Sequence, residues 1–291
     1  MQALDLVVTA FAICTPLIYA VIGETIAQRA GVINLGIEGQ MLMGAFAGYA
    51  AAFAFGNPWL GFLVGGVAGF GMSALFATMA LWAGVNQITS GLAIFLLGSG
   101  LSAFYGRPFV GSNAPTFPDL GLVKEFNATN IVAILLLAAI VYIFYRTPLG
   151  IIVKAVGASA DSTFLAGFSP KKIRYAAVLT GGFLSGLGGA ALSLGYANSW
   201  TEGMTHGMGW IAVALVVVAA WEPLYVLPAV LIYGIASMVA LIMQTRGIPI
   251  SPYLLQTIPY IVALAVMAFF ASSKQNAVPR ELKKVFAELD F

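Results

Sequence analysis

Hydrophobic positions along this chain of 291 residues form long, unalternating runs, separated by short segments rich in glycine, proline or charge. A run of about 20 apolar residues can cross a ~30 Å hydrocarbon core as a helix, whereas the strands of a membrane barrel would alternate apolar and polar positions. The runs therefore predict an all-α polytopic transmembrane helical bundle of about 8–10 spans. The nine predicted spans lie at 4–22, 37–55, 59–82, 87–106, 129–146, 175–195, 207–221, 225–243 and 254–272.

Glycine recurs at intervals of four residues inside the predicted spans, for example at Gly61, Gly65 and Gly69. Residues four apart lie on one face of a helix, and small residues on that face let two backbones approach closely. We expect these glycines to mark tight contacts between helices.

The composition is that of a membrane protein. Hydrophobic residues make up 60% of the chain and charged residues 8%, and the mean hydropathy is +0.96. A soluble domain carries about 25% charged residues, so this chain could not cover a surface that faces water. The spans leave no room for a separate soluble domain, and we interpret residues 1–291 as one transmembrane domain. The single cysteine, Cys14, excludes a disulfide within the chain.

The basic residues predict which side of the membrane each end of the chain faces. With nine spans, ten of the 13 lysines and arginines fall on one side. That side holds Arg29, the loop at 146–174 (Arg146, Lys154, Lys171, Lys172, Arg174) and the tail at 273–291 (Lys274, Arg280, Lys283, Lys284), and the other side holds Arg107, Lys124 and Arg246. Because connections rich in lysine and arginine stay in the cytoplasm, the C-terminus is predicted to be cytoplasmic and the N-terminus to be outside.

Several kinds of chemistry have no motif in this sequence. The only histidine, His206, stands in a predicted outer loop, and no cysteine and histidine spacing suits a metal ion. No lysine follows a glycine, so a phosphate-binding loop of the GxxxxGK[ST] type is missing. We therefore expect a chain that is not an enzyme, with no catalytic residue, no metal site, no cofactor of its own and no surface for nucleic acid.

The stretch AGVINLGIEGQMLMGAFAGYAAAF at 30–53 places Asn34, Glu38 and Gln40 at the start of a hydrophobic span, with glycines between them. Glycine weakens a helix, so the chain can bend or break at this point. An ionisable side chain within a membrane normally faces protein or water and has a partner. Two interpretations follow: these side chains cap and pack a helix corner, or they line or brace a pathway for a solute.

A second polar group opens the fourth predicted span. It consists of Asn86, Gln87, Thr89 and Ser90. An ordinary cap at the start of a helix explains these residues, because asparagine and serine favour such positions. A position along the solute pathway is the other interpretation.

The loop at 146–174 is the longest connection on the basic side, and its middle, residues 159–168, has the pattern of a short amphipathic helix. Phe164, Leu165 and Phe168 form an apolar stripe, Gly167 can end the helix, and Pro170 stops it soon after. Two interpretations fit. The loop is a linker held on anionic lipid headgroups by its lysines, or it is a knob that fits a groove on a partner protein.

Three blocks of the sequence carry a resemblance to a known family. They read GVINLGIEGQMLMGA at 31–45, RTPLG…VKAVGASADSTFLAGFS at 146–169, and GMGWIAVALVVVAAWEPL at 207–224. In this order they resemble the permease subunits of bacterial ABC importers of the branched-chain amino acid/ribose/nucleoside class. The resemblance runs from about residue 22 to residue 270 and implies a type II-like permease in the bacterial inner membrane. Lys154 and Ser159 depart from the arginine and asparagine usual in the loop.

The resemblance also implies partners and roles for residues. Separate ATPase subunits, which use ATP, would sit on a coupling helix in the loop. A second, related permease would complete the pathway, and a periplasmic or lipoprotein substrate-binding protein would dock outside. The implied coupling residues are Ala158, Ser159, Ala160, Asp161, Phe164, Leu165, Gly167 and Phe168, and the candidates for receptor docking are Trp200, Thr201 and Glu202. The candidates for the pathway are the two polar groups above.

The form NLGIEGQM at 34–41 most resembles permeases for purine nucleosides, so a nucleoside is the expected solute. Three alternatives stay open at this point. The chain could be an ABC permease for a simple sugar such as ribose, a stand-alone carrier that uses Glu38 for proton coupling, or a membrane scaffold that transports nothing.

Overall fold

The computed structural model of the protein describes residues 3–120, 126–246, 250–255, 257–273 and 278–287. These residues form helices joined by loops, with no strand among them, so the predicted all-α fold is confirmed. The α-helices are α1 (Ala3–Arg29), α2 (Ile37–Phe55), α3 (Pro58–Ala77), α4 (Gln87–Gly106), α5 (Ala128–Arg146), α6 (Pro148–Ala158), α7 (Ala160–Leu165), α8 (Pro170–Ala191), α9 (Met208–Val218), α10 (Val226–Thr245), α11 (Pro252–Leu255), α12 (Ile258–Ser273) and α13 (Arg280–Ala287). Short π-helical turns at Thr78–Trp82 and Leu192–Tyr196 extend α3 and α8.

Six helical segments of the described residues are long and apolar enough to cross a membrane, which makes this a multi-pass membrane protein. They are Thr9–Arg29, Pro58–Trp82, Gln87–Phe109, Ala128–Arg146, Pro170–Tyr196 and Pro223–Thr245. The other three predicted spans correspond to α2, whose first turns carry Glu38 and Gln40, to α9 with 11 residues, and to α12 with 16 residues. An 11-residue helix is only about 16 Å long, too short to cross alone. The count of eight to ten crossings stays a prediction.

Two features of the predicted topology fall partly outside the described residues. Lys124 and Lys274, which entered the charge count, are not among them, and the tail at 273–291 is described only at 273 and 278–287. The sequence analysis predicted one short helix at 159–168, but the structure divides the loop into α6 and α7.

Helices α1 and α8 form the centre of the bundle. The apolar window of α1 is 94% buried and that of α8 is 83% buried, against 28% for both α4 and α5. Glycines make this packing possible, as their spacing predicted. A side-chain carbon added to Gly65 would come within 2.7 Å of the backbone oxygen of Gly44, and one added to Gly23 would come within 2.5 Å of that of Gly181. Only a residue without a side chain allows so close an approach.

The chain reverses direction twice in a similar way, and the two reversals meet. After α1 it turns through 30–36, which we call the first reversal, and starts α2 at Ile37. After the π-turn that follows α8, it turns through 197–207 and starts α9 at Met208. The two helix starts are in contact, because a side-chain carbon on Gly209 would lie 2.5 Å from the Cα atom of Glu38. We call this contact the polar junction.

Candidate functional site

The carboxylate of Glu38, on α2, caps the start of a different helix, α9. The Thr205 hydroxyl donates to its Oε1 at 2.5 Å, the Gly207 amide donates to Oε1 at 2.8 Å, and the Gly209 amide donates to Oε2 at 2.6 Å. The side chain is almost completely enclosed, with 3% of the residue exposed. A negative charge is favourable at a helix N-terminus, where amide groups have no partner within the helix. Glu38 therefore fastens the two reversals together.

Asn34 and Gln40 extend this enclosed polar group. The Asn34 side-chain amide donates to Gln40 Oε1 at 3.1 Å, and its Oδ1 accepts from the Gly36 amide at 3.1 Å. Gln40 is fully buried, and its Nε2 has no hydrogen-bond partner within the part of the chain that the structure describes. The cap position of α2 is Gly36 and carries no side-chain cap, so Asn34 supports the turn before the helix and does not cap α2 itself. Both side chains are enclosed by the protein in this conformation.

Glu24, near the C-terminal end of α1, continues the polar chain, and the sequence analysis did not name it as a site residue. Its Oε1 accepts from the Asn34 backbone amide at 3.1 Å and from Gln28 Nε2 at 2.8 Å. Gln28 Oε1 in turn accepts from the indole nitrogen of Trp221 at 2.7 Å. The signal in the sequence was the pair of polar residues four apart, Glu24 and Gln28, which follows the apolar run at 16–23 on the same helix.

The polar chain ends in an ion pair. Arg29 binds Glu222, and the Tyr145 hydroxyl donates to the same carboxylate. Arg29 also donates from Nε to the Trp221 carbonyl oxygen at 2.5 Å. These contacts fix the end of α1 to the turn that follows α9, so the short helix α9 is held at its start by Glu38 of α2 and after its end by Arg29 of α1.

The four residues of the second polar group lie in different environments. Asn86 is the cap of α4, because its Oδ1 accepts from the amides of Ile88 at 2.9 Å and Thr89 at 3.3 Å. Gln87 reaches the first reversal and accepts from the Ile33 amide at 3.0 Å. Ser90 is buried, whereas Thr89 lies on the surface. Only Gln87 therefore makes a hydrogen bond to the first reversal.

Two clefts open beside the start of α9, and no residue that lines them was proposed for the pathway from the sequence. One has a volume of about 490 Å³ and lies between α9 and α12. The other, of about 450 Å³, lies between α10 and α12 and also borders α1. Both are lined by His206 and Tyr260, whose hydroxyl donates to the His206 carbonyl oxygen at 3.1 Å. The first cleft is also lined by Trp210, and the second by Tyr233, Ser237 and Gln244.

Trp210 connects the larger cleft to the polar junction. Its indole nitrogen donates to the Leu35 carbonyl oxygen at 3.3 Å, and its ring lies 4.8 Å from that of Phe95, measured between centroids. A cleft with an apolar wall, aromatic rings and a few polar groups is typical of a site for a small organic molecule. The signal in the sequence was a tryptophan close to three glycines within seven residues, Gly203, Gly207 and Gly209, where the apolar run of α9 begins.

Helix α7 lies in the loop at 146–174 and presents apolar side chains at the surface. Ser159 caps it by accepting from the Ser162 amide at 3.2 Å, and the buried Thr163 donates its hydroxyl to the Ser159 carbonyl oxygen at 2.8 Å. Leu165 is 86% exposed and Phe164 69% exposed. The remaining predicted coupling residues flank this helix: Ala158 ends α6, Ala160 and Asp161 start α7, and Gly167 and Phe168 follow it.

The predicted docking residues of the outer loop do not form one surface. Trp200 is buried, with 1% of the residue exposed, and its ring contacts that of Phe46 at 5.9 Å between centroids. Thr201 and Glu202 are exposed. In this conformation, only the last two present their side chains to a partner.

The family model described as branched-chain amino acid transport system / permease component matches residues 6–271. The chain belongs to this family. The resemblance predicted from the three sequence blocks is thereby confirmed. As the permease component of a transport system, the protein is not an enzyme.

Curated relatives cover nearly the whole permease. A protein of Haloferax volcanii, provisionally named a glucose ABC transporter permease, is 35% identical over 92% of this chain and 93% of its own length. The guanosine ABC transporter permease of Bacillus subtilis is 30% identical over 96% of this chain and 97% of its own. The nucleoside ABC transporter permease of Lactococcus lactis is 27% identical over 88% of this chain and 89% of its own. No solved structure matches this permease.

Proposed function

We propose that this permease is the membrane-spanning subunit of an ABC importer that passes a nucleoside across the bacterial inner membrane. Separate ATPase subunits, which use ATP, supply the energy at α7. A second, related permease completes the pathway, and an external binding protein delivers the solute. The loop at 146–174 and the tail at 273–291 face the cytoplasm, as the distribution of basic residues favours.

The observation that carries this proposal is the apolar surface of α7. Phe164 and Leu165, on a helix of six residues, leave most of their surface uncovered by the described part of the chain. Clustered, exposed apolar side chains of this kind mark a surface for a partner. The family supplies the partner class, because the named relatives are ABC transporter permeases.

Two observations favour a nucleoside as the solute. The guanosine and nucleoside permeases are relatives over most of their length, and the larger cleft combines the rings of Trp210 and Tyr260 with His206. Aromatic rings stack on flat bases, and one polar group can orient them. A sugar is the second candidate, because the Haloferax volcanii relative bears a glucose name and aromatic rings also pack against sugars.

Purification of the complex from native membranes tests the proposal, with ATP hydrolysis measured over a panel of nucleosides and sugars. We expect purine nucleosides to stimulate hydrolysis and pentoses or hexoses to have no effect. Stimulation by a sugar alone would replace the nucleoside with a sugar. If the isolated chain accumulated solute against a gradient in liposomes, the proposal of a separate ATPase would be wrong.

The same panel tests the larger cleft. We expect Trp210→Ala to weaken the response to nucleosides, and Trp82→Ala to leave it unchanged. Trp82 is the matched control because its side chain is exposed away from both clefts.

A further inference from the structure

Helix α13, the last in the described residues, is folded onto the loop that carries α7. It contacts α6, and its Leu282 is fully buried in the hydrophobic core. Val278 and Val285 on either side also pack against the core. A segment anchored by apolar side chains has a fixed position relative to the helices beneath it.

Glu281, next to Leu282, is the polar centre of this contact. Its carboxylate accepts from Arg174 Nη2 at 2.9 Å, from Lys284 Nζ at 2.7 Å and from the backbone amide of Ala160 at 3.4 Å. Ala160 is the first residue of α7. Amide groups of a first helical turn have no partner within the helix, so a carboxylate at this position stabilises the start of α7.

Arg174 connects the same carboxylate to the first reversal. Its Nε donates to the Ala30 carbonyl oxygen at 3.1 Å, while its Nη2 binds Glu281. Gly31 lies directly against Glu281, since a side-chain carbon on Gly31 would come within 2.8 Å of the Glu281 Cβ atom. The contacts therefore run from α7 through Glu281 and Arg174 to residues 30 and 31. The same reversal contains Asn34 and leads into Glu38.

We propose that Glu281 is a positioning residue that fixes α7 to the first reversal, so that a displacement of α7 moves the polar junction with it. The inference rests on the proposed function in one respect, namely that an ATPase displaces α7. A largely enclosed ion pair suits this task, because separating the partners would leave charges unpaired where little water reaches them; 18% of the Arg174 side chain and 9% of the Glu281 side chain are exposed. Helix α13, which carries Glu281, then belongs to the set of contacts that transmits a movement of α7 to the polar junction.

The first test measures solute transported per ATP hydrolysed in the assembled complex. We expect Glu281→Ala to lower this ratio about fivefold or more, the scale of a typical coupling between sites. Glu281→Asp, which keeps the charge, restores part of it. Lys283→Ala, on the same helix and exposed, leaves it unchanged. A normal ratio for Glu281→Ala in folded, assembled complex would overturn the inference.

The second test does not depend on the activity of a weakened variant. Spin labels at Asp161→Cys and Lys283→Cys report the distance between α7 and α13, and the one native cysteine, Cys14, is buried. We expect the same distance with and without ATP. A change of about 5 Å, one helical turn, would show that the helices move separately and would overturn the inference.

The two proposals fail differently. If the unmodified complex transports none of the solutes, the proposed function is wrong, whatever the labels report. If it transports with normal coupling while α7 and α13 separate, only the role of Glu281 is wrong.

Discussion

The polar junction and the α7 surface place polar and apolar groups in opposite ways. At the junction, Glu38, Asn34 and Gln40 are enclosed, and hydrogen bonds hold two helix starts together. At α7, Leu165 and Phe164 are exposed, and the ionic contact of Glu281 lies at the start of the helix, where the Ala160 amide donates to the carboxylate. The difference separates a tightly enclosed contact between helices from an open apolar surface, which under the proposed function receives the ATPase. The first should respond to mutation with lost stability, and the second with lost coupling.

The largest effect on stability is expected from Glu38→Ala. The change leaves the Thr205 hydroxyl and two amides without their acceptor in a buried place, which costs about 3 kcal/mol or more in unfolding free energy. Thermal unfolding of the purified permease in detergent measures it. Glu202→Ala, at an exposed position, is the control and should leave the unfolding temperature unchanged.

Glu38→Gln distinguishes this structural role from proton coupling. The amide retains an acceptor but loses the charge at the start of α9, so we expect a smaller loss of stability and uptake that still depends on ATP. A variant of normal stability that lost a proton dependence of uptake would instead favour the stand-alone carrier.

Gly209→Ala should have the next largest effect, because it forces the two helix starts apart. The added carbon would lie 2.5 Å from the Glu38 backbone, and such overpacking costs about 1–3 kcal/mol. Gly100→Ala is the matched control, since a side-chain carbon there meets no atom within 4 Å. We expect the control to be neutral or slightly stabilising in the same unfolding measurement. Equal stability of both variants would mean that the helix starts are not tightly packed.

Leu165→Ser should weaken binding of the ATPase and leave the stability of the permease almost unchanged. The side chain is 86% exposed, so the unfolding free energy should change by less than about 0.5 kcal/mol. If an ATPase buries this leucine, its affinity should fall about tenfold, the result of losing roughly 1.4 kcal/mol of apolar contact. Leu149→Ser, on α6 and 64% exposed, is the control. Binding assays with the purified ATPase measure the affinity of both variants. An equal loss of affinity in the two would favour attachment of the whole loop to lipid.

Local signals in the sequence predicted the α7 region well and the polar junction only in part. Gly167 as a helix end and Pro170 as a stop are signals within a few residues, and the structure ends α7 at Leu165, just before them. The contact between Glu38 and the Gly209 amide joins residues 171 positions apart, so no local pattern could reveal it. The sequence did indicate that a carboxylate in this place needs a partner, but not which helix supplies it.

The predicted spans show the same limit. Hydrophobic runs located α9 and α12 correctly, yet α9 has 11 residues where a run of 15 was predicted, because the chain turns at Ala219 to Trp221 with positive φ at Ala220 and Trp221. Non-glycine residues rarely adopt that conformation, and hydropathy carries no trace of it. The sequence analysis also missed the clefts beside His206, because they form between helices that are distant in sequence.

The smallest effect is expected from a change of pH, which should leave the α13 contact intact between pH 5 and pH 8. Burial acts to raise the pKa of Glu281, but the hydrogen bonds from Lys284, Arg174 and the Ala160 amide outweigh it and hold the pKa below its ordinary value of about 4.3. A lowered carboxyl pKa stabilises the fold above the ordinary value, and the stabilisation is lost only as pH falls through the lowered one. The contact with Glu281 raises the pKa of Lys284, so that group stays charged as well. Protection of residues 280–287 in hydrogen exchange should therefore be the same at pH 5 and pH 8 after correction for intrinsic rates. A loss of protection between these values would mean that another group, and not this ion pair, holds α13 in place.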